Sequence, residues 1–493
     1  MSKRLENVTQ QRLDKLKRLR ERGIDPYPSR YERTHTAQQA KAILGEEDHS
    51  STEVTVSVAG RMVAQRGMGK ATFMDLQDGS GRIQAYLRRD QVGDERYELL
   101  QELDIGDFVG VTGGLFKTRS GEITVNVSTF TLLAKSLQPL PEKWHGLVDI
   151  EKRYRQRYLD LISNEETRNL FLVRSRIIAA MRRFMDNRGF VEMETPILQP
   201  IAGGARARPF VTHHHALDRD FYLRIATELH LKRLIVGGCD RVYEIGRIFR
   251  NEGISTKHNP EFTTLESYEA YADYNDVMSM LEAMVYSITQ EVLGTATVNY
   301  GDVTLDFTPP WRRMTLREAL KNTFDLDLHE CLAGGPEMLR HVMHERGMEL
   351  DETMSPAYLV DKLVSTHVEP TLVQPTFLID YPAETTPLAK TKKDNPAMVE
   401  RFEAFAAGME FANAFTELND PIEQSARFEI QEQWRLQFGD EEAEQYQEDF
   451  ITAMEYGMPP TGGLGVGIDR LVMLLCNQQS IREVILFPQL KTR

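Results

Sequence analysis

Apolar and polar positions change period several times along the chain. Residues 4–22 place Leu5, Val8, Leu13, Leu16 and Leu19 at helical spacing among Lys and Arg, and Gly23, Pro26 and Pro28 follow. That pattern predicts one helix with a defined stop. From 53 to 133 the period shortens. VTVSVAGRMVA, KATFMDLQDGSGRIQAYLRR around a Gly-Ser-Gly turn, DFVGVTGGLFK and EITVNVSTFTLLA read as five short strands, with a helix at about 91–104 after the third. LQPLPEKWHG (137–146) reads as a linker. Beyond it, helices are predicted at about 165–188, 274–293, 316–368, 396–407, 421–438 and 468–476. Two strands around a loop are predicted within 241–270, with further strands near 376–381 and 409–418. A glycine-rich turn is expected before the last helix. No internal repeat is present.

Five strands with a helix after the third resemble an OB-fold, a small barrel that often binds single-stranded nucleic acid. The fold class expected is α+β: an N-terminal five-stranded barrel, then a larger domain of antiparallel sheet and helices. The boundaries expected are 1–30 for a basic helical arm, 31–140 for the barrel and 141–493 for the rest, with a helical insertion at about 316–368.

With 493 residues the chain has room for more than one core. Apolar residues make up 41% and charged residues 27%, which excludes wholesale disorder. No apolar run approaches the roughly 18 residues of a membrane span. Cys239, Cys331 and Cys476 are too few and too scattered for a disulfide framework or a zinc site, and a cytoplasmic setting is expected. The net charge of −15 argues against a uniformly basic nucleic-acid coat. Residues 1–30 run against it, carrying Lys3, Arg4, Arg12, Lys15, Lys17, Arg18, Arg20, Arg22 and Arg30 against four acids, a plausible polyanion contact.

Three nucleotide or metal signatures fail on inspection. GMGKAT (67–72) lacks the first glycine of a phosphate loop and has Ala71 where Ser or Thr is needed. GGLGVG (462–467) is not followed by the acidic residue of a dinucleotide fold. His213, His214 and His215 lack a ligand spacing.

The informative segment is RVYEIGRIFRNEGISTKHNPEFTTLESYEAY (241–271). Read as strand, loop, strand, it puts Arg250 and Glu252 on one face at the end of the first strand. Phe262, Glu266 and Tyr268 share a face of the second. An arginine fork suits phosphate oxygens, and Phe262 offers a surface for a base. Lys257, His258 and Asn259 on the loop are within reach of further phosphates.

FRNEG, HNPEF and TLESYEAY resemble motif 2 of the class II aminoacyl-tRNA synthetases. NRGFVEMETPIL (187–198), with Pro196, resembles their motif 1, and GLGVGIDRLVML (463–474), with Arg470, their motif 3. The N-terminal barrel, RYRQRYLDLI (153–162) and RIATELHLKRLIVGG (224–238) are similar to the lysine-specific members of subclass IIb. The resemblance implies a ligase that activates lysine with ATP and Mg2+, releases pyrophosphate and transfers lysine to the 3′ end of tRNA(Lys). It implies a homodimer through motif 1.

It also implies roles for named residues. Arg250 would bridge the substrate carboxylate and the α-phosphate. Phe262 would stack on adenine, with Arg470 opposite or near the γ-phosphate. Glu252 would meet the adenine edge, and His258 and Asn259 would lie at the phosphate loop. Glu403 and Glu410 match the metal-binding acids; they are seven residues apart, with Gly408 ending the expected helix between them. Glu228 would take the α-amino group, and Glu417 with Tyr268 the ε-ammonium, with Glu266 a further acid. On the strand MEFANAFTELND (409–420), Asn413, Phe415 and Glu417 share a face, and Glu410 needs a local bend to join them. Ala412 and Ala414 stand where glycines are common. In the barrel, Phe73 would stack an anticodon base, with Arg66, Gln84 and Glu122 beside it. Rival readings are a ligase for aspartate or asparagine, an enzyme delivering lysine to a protein or lipid, and a non-catalytic RNA-binding or lysine-sensing descendant.

Overall fold

The structure is a computed structural model that describes residues 3–45, 51–141, 147–324, 335–348, 350, 356–438 and 445–491. Cys331, part of the 137–146 linker and part of the 316–368 helical segment lie outside them. The chain divides into two compact units, one ending at Val148 and the other beginning at Asp149.

The first unit is a closed barrel of β1 (Ser51–Met68), β2 (Ala71–Gln77), β3 (Arg82–Arg88), β4 (Phe108–Lys117) and β5 (Ile123–Ala134), in the order β1-β2-β3-β5-β4. Strict alternation sends Val56, Val58, Met74, Leu76, Ile83, Ala85, Val109, Val111, Val125 and Val127 inward. The single helix expected at 91–104 is broken into Arg89–Val92, Asp94–Glu98 and a 3-10 turn at Leu99–Gln101, with Gly93 at a positive φ of 86° between the first two. The N-terminal helix, Lys3–Glu21, is no free arm. Leu19 is buried in the barrel core, and Arg12 donates to the carbonyls of Ile105, Ser136 and Gln138. Lys15 pairs with Asp104 and Arg18 with Glu102. Much of its positive charge therefore serves the fold.

The second unit is built on an eight-stranded sheet. β6 (Val191–Glu192) is its short edge strand. β7 (Leu198–Gln199), β8 (Val211–His214) and β9 (Arg219–Leu223) form a separate small sheet. β10 (Arg241–Phe249) and β11 (Glu261–Ala270) are the hairpin of the long motif, and β12 (Thr297–Tyr300) pairs with β13 (Val303–Asp306). β14 (Arg312–Thr315), β15 (Thr376–Pro382), β16 (Met398–Ala406), β17 (Met409–Thr416) and β18 (Thr461–Gly467) complete the large sheet, in the order β14-β15-β16-β17-β18-β11-β10-β6. Its neighbours are antiparallel except β14/β15 and β10/β6. Helices Glu165–Asn187, Tyr274–Leu293 and Ile468–Leu475 cover one face, burying Leu265, Phe402, Ala404, Ala412, Ala414, Leu464 and Val466. On the other face a second core packs over β14, β15 and β16, burying Met314, Leu378, Val399 and Phe405, and the strands beyond are left for chemistry.

Two expectations are corrected. Residues 396–407 are not a helix but lie largely in β16. VERFEAFA mixes helix-favouring Glu, Arg and Ala with apolar residues. Val399, Phe402, Ala404, Phe405 and Ala406 are all buried, so the clean alternation of a half-buried strand is missing. Ala407 and Gly408, at φ 51° and 66°, form the hairpin turn to β17. The glycine-rich segment 462–467 is likewise not a turn but the central strand β18. Two of its four glycines are imposed by neighbours: a Cβ on Gly463 would stand 1.9 Å from Glu417 Oε1, and one on Gly462 2.7 Å from a Val277 methyl.

Candidate active site

The open face of the sheet floors a cavity of about 490 Å³. Phe262, Glu266 and Tyr268 enter it from β11, Asn413 and Phe415 from β17 and Glu417 from just beyond β17, while Glu228 comes from the start of helix Glu228–Val236. Arg250, Glu252, His258, Asn259, Glu410 and Arg470 also line it.

β10 ends at Phe249, so Arg250 and Glu252 stand on the loop beyond it and not on a common strand face. Arg250 is held from its backbone, donating to the Pro260 carbonyl at 2.8 Å, and its guanidinium stacks 5.3 Å from the Phe262 ring centre. Asn259 is buried and spends its amide on chain geometry: Nδ2 donates to the Glu261 carbonyl and Oδ1 accepts from the Gln489 N–H. His258 meets Arg470 at 3.0 Å through Nε2 and the Ser255 hydroxyl through Nδ1. Partial desolvation, then the Arg470 cation, lower its pKa to about 4 although the residue keeps an exposed edge, so the ring is neutral.

Glu410 joins the cavity through the bend its phase requires. Pairing slips from Ala404↔Ala412 to Phe405↔Glu410, leaving one extra residue on β17, a β-bulge. Its carboxylate accepts from Arg470 at 2.9 Å. Glu403 sits on β16 and not on a helix shared with Glu410, and it is absent from the cavity lining. Tyr381 Oη donates to it at 2.7 Å and Arg401 at 2.5 Å. Burial holds its pKa up at about 7, against the pull of Arg401. Among the described residues no group of three or more His, Cys, Asp or Glu side chains is arranged to hold a metal.

The deep end of the cavity is acidic and dry. Glu228, Glu266, Tyr268 and Glu417 are 7%, 9%, 4% and 1% exposed, so charges there need partners. Glu266 accepts from the Thr227 N–H at 3.1 Å, and burial lifts its pKa to about 7. Lys232, one helical turn beyond Glu228, points its ammonium at Glu228 (2.5 Å) and at Glu417. Burial lowers the Lys232 pKa, but the two carboxylates more than restore it, so the amine stays charged. Sequence reasoning passed over Lys232, and its only signal was the Glu-Lys spacing of four on a helix. Arg401 was also missed; it donates to Asn413 Oδ1 at 3.0 Å and lines the cavity. The methyls of Ala412 and Ala414 lie in the hydrophobic core.

On the first unit, Phe73 belongs to the outer face of the barrel while its neighbours Met74 and Thr72 are buried. Its ring lies 4.6 Å from that of Tyr86, which lies 5.9 Å from Phe116. Alternation from Gln84 could have revealed Tyr86. Arg66 is directly opposite Phe73 in the β1/β2 register. Gln84 accepts from Thr124, and Glu122 pairs with Lys41.

Residues 149–491 match the family described as tRNA synthetases class II (D, K and N), and residues 56–133 match the OB-fold nucleic acid binding domain. The chain belongs to the class II tRNA synthetases. Within that class several relatives carry one name. A protein of Dehalococcoides mccartyi named lysine–tRNA ligase is 57% identical over 99% of this chain and 98% of the relative. Proteins of the same name from Moorella thermoacetica and Bacillus subtilis are 55% and 52% identical, each over at least 98% of this chain and 97% of their own length.

Proposed function

We propose that this chain is a lysine–tRNA ligase. It joins lysine to ATP as lysyl-adenylate and then passes the lysyl group to the 3′ end of tRNA(Lys). The observation that carries the reading is Glu417. Its carboxylate is almost fully buried at the end of the cavity, and its Oε1 has no hydrogen-bond partner among the described residues. A side-chain ammonium satisfies that group. The aspartate and asparagine members of the same class need the opposite, a pocket that tolerates an acid or an amide.

Activation requires a lysine carboxylate oxygen to attack the α-phosphorus as the bond to the β-phosphate breaks and pyrophosphate leaves. No enzyme nucleophile takes part, so the protein acts by position and charge. Arg250 neutralises the carboxylate and the α-phosphate. Phe262 offers its ring to adenine, with Glu252 at the base edge. Arg470, beside neutral His258, meets the terminal phosphates, and Asn259 keeps the phosphate loop in shape. Glu228 and Glu266 receive the α-ammonium; Tyr268 and Phe415 wall the ε-ammonium that Glu417 accepts, and Asn413 orients the pocket side. Mg2+, when bound with ATP, would supply positive charge against the phosphates. Glu410, on the cavity wall, fits it. Glu403, held by Tyr381 and Arg401 outside the cavity lining, would add negative charge behind it.

We assign the barrel to the anticodon. The row Phe73–Tyr86–Phe116 supports stacking of unpaired bases, with Arg66, Gln84 and Glu122 at its margin. Exposed Leu172 on the helix before motif 1, and Val191, Ile197, Leu198 and Ile201 in and after it, support a homodimer through that surface. A cytoplasmic enzyme follows from its substrates. The test is charging: lysine should be esterified to tRNA(Lys), and aspartate to tRNA(Asp) or asparagine to tRNA(Asn) should not. Charging of either of the latter, with lysine inert, rejects the reading.

A further inference from the structure

We propose that Lys232 is a positioning residue for amino-acid recognition: from behind the cavity wall its ammonium anchors Glu228 and Glu417 and leaves the free oxygen of Glu417 aimed at the substrate's side-chain ammonium. The inference rests on the lysine reading above and names how the pocket achieves it.

Three observations lead here. Lys232 is fully buried and is not among the residues that line the cavity, whereas both its carboxylate partners are. It therefore approaches them from the protein side. The two oxygens of Glu417 are used differently: Oε2 forms the ion pair with Lys232 and has no further hydrogen bond among the described residues, while Oε1, equally buried, has neither. Gly463 is what leaves Oε1 its room, since a Cβ there would overlap it. Finally, the charges balance. With a substrate's ammonium groups present to hold all three acids ionised against burial, Glu228, Glu266 and Glu417 set against Lys232 leave two negative charges, matching the two ammonium groups of lysine, and Arg250 remains for its carboxylate. Without Lys232 the three acids would crowd a dry site with one charge too many. Burial raises the pKa of Glu417, and the attraction of the Lys232 ammonium opposes it. The rings of Tyr268, Phe415 and Phe450 surround the ammonium at 5.9, 5.4 and 6.0 Å and fix its place.

The opposite role is an internal plug, in which Lys232 occupies the substrate's place and must be displaced. The two differ in sign. The experiment is ATP–pyrophosphate exchange with the full chain, varying lysine and ATP separately, on wild type, Lys232→Met, Glu417→Gln and the double variant. Exchange by wild type with aspartate or asparagine in place of lysine rejects the functional reading itself, before Lys232 is at issue. With wild type responding to lysine, Lys232→Met should raise the lysine KM by about 10- to 100-fold, the range for outer partners that orient ligating side chains. The ATP KM should stay within about twofold of wild type. Because Lys232 acts on the substrate through Glu417 and in lesser part through Glu228, the double variant should exceed Glu417→Gln in lysine KM by less than about tenfold. That comparison also decides the matter if Lys232→Met does not fold. An unchanged or lowered lysine KM in Lys232→Met, or a double variant about tenfold worse than Glu417→Gln, overturns the inference.

Discussion

Gly463→Ala tests the pocket with one methyl group. The added Cβ would lie 1.9 Å from Glu417 Oε1 and 2.7 Å from Tyr268 Cε1. Ordinary contact is about 3.5 Å, so the carboxylate must retreat by about 1.5 Å. The backbone cannot give instead: β18 is hydrogen-bonded to β11 on one side and β17 on the other, and Gly463 pairs with Tyr268 and Phe415. Overpacking of this kind costs about 1–3 kcal/mol of stability, which a multi-kcal fold survives. A displacement of about 1 Å in a positioning group costs about 100-fold in rate. Lysine-dependent pyrophosphate exchange should therefore fall by about 100-fold in kcat/KM for lysine, with the ATP KM little changed. Gly465→Ala is the matched control, because its Cβ meets nothing nearer than 3.7 Å and leaves Glu417 in place. A normal lysine KM in Gly463→Ala, or a larger lysine defect in Gly465→Ala, would refute the placement of Glu417 as the recognition group.

Other perturbations address other parts of the site. Arg250→Ala should slow adenylate formation by at least about 100-fold, as for loss of one preorganised charge stabiliser, and a near-normal single-turnover rate would remove Arg250 from that role. Phe73→Ala should raise the tRNA KM by roughly 5- to 150-fold, the equivalent of about 1–3 kcal/mol for one lost stack, while pyrophosphate exchange stays intact; equal damage to both makes Phe73 merely structural. His258, with its folded pKa lowered to about 4 from 6.5, should show a flat imidazole NMR shift between about pH 5.5 and 8 in the ligand-free protein. The sign for stability follows: below pH 6.5 the unfolded chain binds a proton that the folded chain refuses, so this residue costs stability increasingly as pH falls toward 4. A titration centred near pH 6.5 would contradict that desolvation.

The barrel was legible because its strands are half-buried: one face is core, the other wet, and Ser-Gly turns separate them. The β10/β11 hairpin was legible from the polar loop between its two runs although β11 is buried on both faces, and the phase of Glu410 even demanded the bulge that β17 contains. What was misread lies in the middle of the large sheet. β16 is packed on both faces and reads like a helix by composition. β18 is nearly side-chain-free because Glu417, Tyr268 and Val277 press on it, and glycines in a row read as a turn. Arg250 and Glu252 reach the cavity from a loop, although they had been placed on a strand face. Lys232 was visible only as a helix residue four after Glu228; that Glu417, 185 positions further along, closes the same triad is a fact of tertiary packing.

The most direct test of the account is wild-type ATP–pyrophosphate exchange across the twenty amino acids. Lysine alone should support exchange, and norleucine, which has the same chain length without the ammonium, should not. A buried carboxylate left facing an apolar methyl costs roughly 3–5 kcal/mol, or over about a hundredfold in discrimination. Exchange with norleucine comparable to that with lysine, or with aspartate or asparagine in place of lysine, would contradict the claim that Glu417 makes this a lysine site.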